Sequence, residues 1–184
     1  LPANAIRYNP EALSANLAEQ SLPNGQQIDM IEAVAEGVIF NNLEHIMDTH
    51  VDRMLVLRPR ITDEERAQFI VEGYSYLGDK YDFLFDFTDS SMQVCTELIY
   101  RGINGKGLIN FELTMRAGHE TLSADDIANY YLNESEAAFD FVLLVEPESN
   151  SKQHDAVVYT GTEGEARLIA LMAQVQAKAD KARK

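Results

Sequence analysis

Residues 81–103 read YDFLFDFTDSSMQVCTELIYRGI, and they hold the only cysteine of the 184-residue chain. The stretch passes from an aromatic and acidic segment through the polar loop TDSS into a run with Cys95, Leu98, Ile99 and Gly102 at helical spacing. A helix is therefore expected to begin near Gln93 and to stop in the glycine-rich GINGKG. Two readings of Cys95 are open. In the first turn of a helix, unpaired backbone N–H groups and the positive end of the dipole stabilise a thiolate, which makes the residue a nucleophile. With Leu98 and Ile99 on the same face, a cysteine is equally a small apolar core residue.

Upstream of this stretch the pattern resolves into short elements. Asn9 and Pro10 mark a cap and first turn, so NPEALSANLAEQ reads as a helix that LPNG breaks. IDMIEAV and GVIFNN read as two strands with Glu36 and Gly37 between them, LEHIMDTH as about two helical turns, and RMLVLRP as a strand stopped by Pro59. Thr62 then caps TDEERAQFIVEGYSYLG, with acidic residues in the first turn and Phe69, Ile70, Gly73, Tyr74 and Leu77 on one face. Downstream, SADDIANYYLNE is a short helix capped by Ser123. FDFVLLVEP is a buried strand whose hairpin partner AVVYTG follows the polar turn ESNSKQHD. A closing helix over 163–184 carries Leu168, Leu171, Met172 and Val175 as its stripe, and an exposed stripe there would serve docking. Helices and strands intermingle without βαβ alternation, which points to an α+β fold.

A chain of this length fits one domain. Thirty acidic against fifteen basic residues give a net charge of −15. That balance repels polyphosphate backbones and anionic lipid, so no nucleic acid partner is expected. One cysteine cannot form an internal disulfide. No apolar run is long enough for a transmembrane segment, and LPANAIRYNP lacks the pattern of a signal peptide. Its start without an initiator Met reads as a processed or trimmed N-terminus. The compartment is left open.

Other chemistry-bearing residues read plainly. GINGKG has no Ser or Thr after its Lys and no preceding strand, so it is a helix stop rather than a phosphate loop. Asp82, Asp86 and Asp89 are spaced by four and three, unlike a calcium loop, and are read as caps. His45 and His50 do not fit the zinc-helix pattern, and His119 and His154 stand in polar turns.

Four pieces in order, IDMIEAVAEGV, MLVLRPR, YLGDKYDFLFDF and VCTELIY, resemble the circularly permuted papain-like amidases of the YiiX/YaeF type, relatives of the NlpC-type cysteine peptidases. Gly78, Tyr81, Asp82 and Phe83 match the family's Gly-x-x-Tyr-Asp-Phe signature. Cys95, Glu97 and Leu98 match its Cys-Ser-Glu-Leu-Val signature, with Thr96 and Ile99 replacing Ser and Val. The resemblance implies a single permuted papain-like domain over residues 1–184, with a small antiparallel sheet packed with helices. It also implies a nucleophilic Cys95 acting on an amide or ester bond, and neither cofactor nor metal. The substrate would be a small-molecule, peptide or lipid-like amide or ester.

Glu32 aligns with an acidic position of the family and is either a third catalytic member or a solvent-facing strand carboxylate. Tyr81 either places its hydroxyl near an oxyanion or simply packs. Thr96 and the N–H groups around Cys95 are the natural oxyanion donors. The family's catalytic His precedes the Cys on an upstream strand, whereas residues 1–31 contain no histidine. Three readings follow: an upstream segment or second chain supplies the His, a pseudoenzyme keeps the cleft as a noncatalytic binding module, or another histidine serves.

Overall fold

Alternating and helically spaced apolar residues give fourteen elements in the computed structural model, which describes residues 21–49, 53–134, 137–148 and 155–182. In chain order they are β1 (Met30–Val34), β2 (Gly37–Asn41), α1 (Leu43–Thr49), β3 (Met54–Pro59), α2 (Asp63–Ser75), β4 (Lys80–Tyr81) and β5 (Met92–Gln93). There follow α3 (Cys95–Ile103), β6 (Thr114–Arg116), β7 (His119–Thr121), α4 (Ala124–Glu134), β8 (Phe139–Pro147), β9 (Ala156–Tyr159) and α5 (Gly161–Ala182). The fold is α+β, as expected, but its strands do not form one sheet. Three antiparallel sheets and one parallel two-residue pair, β4 with β5, divide them. The segment read as NPEALSANLAEQ, His50, His154 and most of the ESNSKQHD turn lie outside the described residues.

The chain packs as two compact units. The first holds the described residues up to Thr49 with Thr62–Lys106 and Asn110–Leu122. Its β1–β2 hairpin turns at Ala35 and Glu36, and Gly37 opens β2 with a φ of 114°. A side chain at Gly37 would run into the Asp79 carbonyl, so the position requires glycine. Val38 N–H donates to the Asp79 carbonyl and Gly78 N–H to the Val38 carbonyl, both at 2.9 Å, which ties the hairpin to the loop after α2. That helix starts as the capping box its sequence spells: Thr62 Oγ1 accepts from Glu65 N–H at 3.2 Å and Glu65 Oε2 from Thr62 N–H at 2.8 Å. Ala33, Val38 and Tyr76 form the buried centre, flanked by Ile31, Leu77, Tyr81 and Leu98. Gly102, buried on α3, lies where an added Cβ would strike the Phe69 ring of α2.

The hairpin β6–β7 is absent from the sequence reading. It turns at Ala117 and Gly118, with φ of 50° and 93°, the pair of left-handed residues that a tight hairpin needs. His119 consequently lies on a strand, not in a polar turn, and its Nδ1 sits 3.4 Å from an Asp86 oxygen.

The second unit holds the described parts of His50–Ile61, Gly107–Ile109 and Ser123–Lys184. Its sheet runs β3-β8-β9, antiparallel throughout, with a bulge between Val56 and Leu57. Helix α5 begins two residues before the expected Glu163 and buries Leu168 and Met172, while Leu171 and Val175 are half-buried. Gly164 is the point where the helix meets the Phe141 ring of β8. Ser123 caps α4 reciprocally with Asp126, at 3.1 and 2.7 Å. On β8 the buried Glu146 takes ion pairs from Arg53, at 3.2 Å, and from Arg167.

Candidate active site

Helix α3 opens at Cys95 behind Val94, which has extended backbone and no side-chain acceptor for the helix start. Helix geometry leaves the N–H groups of Cys95 and Thr96 without intrahelical acceptors. Glu97, at the third helical position, accepts from Val94 N–H at 3.4 Å, so the acid of the first turn holds the chain entry rather than the free amides. The buried side of α3 is Thr96, Glu97, Gly102 and Ile103. Cys95 stands two turns before Gly102 on the face that Leu98 and Ile99 share, and at this end of the helix it is exposed. Along this stripe Leu98 and Ile99 are half-buried, and Leu98 also flanks the buried centre of the unit.

That side of α3 opens on a groove of about 470 Å³. Cys95, Leu98 and Ile99 form one side of it, and Phe69, Ile70, Gly73 and Tyr74 of α2 form a second. Ile28, Met30, Ile31 and Glu32, on and just before β1, complete it together with Asp29. The α2 stripe expected from sequence thus exists, but it walls the groove: no residue of α2's apolar face is fully buried, and Ile70 remains 47% exposed. Among the described residues the lining contains two carboxylates and no basic residue.

Of the sequence-derived candidates, Cys95 and Glu32 come together in this groove. Glu32 is half-buried and accepts a hydrogen bond from Asn41 Nδ2 on β2, diagonally across the hairpin. Tyr81 is not part of the lining, yet it lies within electrostatic reach of Cys95. Burial raises its phenol above the ordinary value, and negative charge at Cys95 and then at Asp82 raises it further, so its proton is retained at neutral pH. Its ring meets Phe83 at 4.9 Å and Phe85 at 6.2 Å. Thr96 is buried and is not among the lining residues.

Asp82, Asp86 and Asp89 are caps, as their spacing implies. Asp82 is fully buried and accepts from the N–H groups of Leu84 and Asp86, Asp86 from the Thr88 N–H and hydroxyl, and Asp89 from those of Ser91. No metal-holding cluster of acids, histidines or cysteine occurs among the described residues.

Three supporting roles escaped the sequence reading. Glu97 is fully buried with Arg101, whose Nη2 also donates to the Phe87 carbonyl at 2.9 Å, fastening the loop before α3 to the helix. The Glu-Arg spacing of four was the available signal. Gln93, fully buried one residue before the cap, donates to the Ser90 carbonyl at 3.1 Å, while its Oε1 has no hydrogen-bond partner among the described residues. Asn41 holds Glu32, and nothing in a strand sequence marks such a diagonal contact.

Comparison with known proteins finds no match: no family model, no curated protein and no solved structure aligns with this chain. No helix among the described residues is long and apolar enough to cross a membrane.

Proposed function

We propose that the protein is a thiol hydrolase or acyltransferase of permuted papain-like type, forming an acyl-enzyme on Cys95 from an amide or ester. The observation that carries this reading is the exposure of Cys95 at the first residue of α3, in an apolar groove shared with Glu32. In the reaction the Cys95 thiolate attacks the carbonyl carbon, and a C–S bond forms as the carbonyl oxygen becomes an oxyanion. The N–H groups of Cys95 and Thr96 are the donors that a helix start leaves free for that oxygen. Collapse breaks the C–N or C–O bond, the leaving group takes a proton, and water or a second acceptor then cleaves the thioester.

None of the described histidines lines the groove: His45 is on α1 and His119 on β7. This favours, as the second reading, a binding module that keeps the groove without turnover. An activated ester separates the two, because p-nitrophenolate departs without a proton donor. Incubation with p-nitrophenyl acetate should release one equivalent of p-nitrophenol and add one acetyl group to Cys95 by intact mass, with Cys95→Ala silent. Turnover of the corresponding amide by the same protein would establish the hydrolase, and acylation without amide turnover the module. No adduct on Cys95 under conditions that label a small free thiol would remove the acyl-enzyme reading.

A further inference from the structure

The turn after β4 hides its acid and displays its apolar groups. The Asp82 carboxylate, fully buried, accepts from Leu84 N–H at 2.8 Å and Asp86 N–H at 2.5 Å, and the Asp82 carbonyl accepts from Phe85 N–H at 3.4 Å. These bonds fix three consecutive side chains outward: Phe83 and Leu84 are each 68% exposed and Phe85 is 46% exposed. Phe85 has a φ of 55°, a left-handed conformation that a residue with a Cβ normally avoids. Behind the tip, Phe87 is buried and its carbonyl is held by Arg101. A loose apolar loop would fall back onto the protein. Here the buried, hydrogen-bonded acid fixes the backbone of the turn, so the three side chains stay largely exposed even where Tyr81 meets the rings of Phe83 and Phe85.

Three contiguous large apolar side chains on a surface call for an apolar partner. A specific protein interface buries about 800 Å² on each side, and a three-residue tip supplies a small part of that. A lipid–water interface demands no matching shape, only apolar groups at a protruding tip, with aromatic rings suited to the headgroup level. Charge then selects the lipid. The chain carries −15, and Asp86 and Asp89 follow directly behind the tip, so an anionic surface repels it.

We propose that residues 83–85 form an insertion loop by which the protein docks on an electrically neutral, zwitterionic lipid surface. The rings of Phe83 and Phe85 both meet the ring of Tyr81 at the base of the loop. The docking itself requires no chemistry at Cys95.

The chain contains no tryptophan, so Phe83→Trp creates a single fluorescent reporter at the tip. On addition of phosphatidylcholine vesicles its emission should shift to the blue and be quenched by acyl-brominated lipid. Partition into phosphatidylserine-rich vesicles at low salt should be at least tenfold weaker. In the otherwise unsubstituted protein, Leu84→Asp should reduce cosedimentation with phosphatidylcholine vesicles at least tenfold while leaving the circular dichroism spectrum unchanged. Emission that stays put with vesicles overturns the proposal, as does tighter binding to the anionic ones. A blue shift that grows with protein concentration in the absence of lipid overturns it in favour of a second copy covering the tip.

Discussion

Arg101 closes over Glu97 one turn along α3, donating from Nε at 2.8 Å and from Nη2 at 2.5 Å to a carboxylate with no solvent exposure. Burial raises Glu97 above the ordinary glutamate range, and the Arg101 guanidinium and then the Val94 N–H pull it part of the way back. Removing Arg101 leaves a buried charge without its partner, a loss of about 3 kcal/mol at neutral pH. Since the folded value then lies further above the unfolded one, the folded form holds the proton more tightly. The stability this supplies is present below the unfolded value and disappears as pH rises through the folded one. Arg101→Leu should therefore be most defective near pH 7.5 and recover towards pH 5, and Glu97→Gln/Arg101→Leu should lack that pH dependence. Urea unfolding at the two pH values checks this, and an equal deficit at both would refute the buried-charge account.

Gly102 and Phe69 couple the packing of α3 on α2 to the groove. A Cβ at Gly102 meets the Phe69 ring, and Phe69 is a groove residue. Gly102→Ala should cost about 1–3 kcal/mol from overpacking despite alanine's better helix propensity. Phe69→Ala alone costs stability through the lost ring, but in its presence Gly102→Ala should become nearly neutral. Denaturation of the four members of this cycle supplies the measurement, and additive losses would mean that the two positions do not touch.

On the acid side the signs reverse. The Thr88 hydroxyl and N–H, and after them His119, hold Asp86 below the usual carboxylate range, and Arg60 does the same to Asp140 at 2.6 and 2.9 Å. Each folded value lies below the unfolded one, so their contributions are present above the ordinary aspartate value and lost as pH falls through the folded one. Asp86→Asn and Asp140→Asn should each flatten the fall in urea midpoint between pH 4.5 and pH 2.5. Curves parallel to that of the unsubstituted protein would rule this out.

What the sequence makes legible follows from how local each signal is. Thr62 with Glu65, Ser123 with Asp126 and the Asp-x-Leu and Asp-x-Thr turns are contacts within four residues, and all of them form. The hairpin β1–β2 and the helix at Cys95 were likewise plain from spacing. The parallel pair β4–β5 was not, because two residues carry no period. Periodicity also could not tell a core face from a groove face: Phe69, Ile70, Leu98 and Ile99 have the same pattern whether another element covers them or not. Nor could spacing tell that Cys95, on the same face as the buried Gly102, would stand exposed at the open end of that face.

Glu32 offers the sharpest test of how the groove acts on the thiol. It shares the lining with Cys95, and its carboxylate is held by Asn41. If Glu32 acts on Cys95 only as a nearby negative charge, it disfavours the thiolate. Between two groups lining one groove, in a water-like dielectric, such a charge effect is about 0.5 kcal/mol, roughly a factor of two to three in rate. Glu32→Gln keeps an acceptor for Asn41 and removes the charge, so Cys95 should alkylate with iodoacetamide about two- to threefold faster at pH 7 and low ionic strength, with the gain fading as salt is added. Unchanged alkylation at low salt would place Glu32 beyond electrostatic reach of the sulfur. A slower reaction, insensitive to salt, would instead identify the carboxylate as a group that orients the reacting centre.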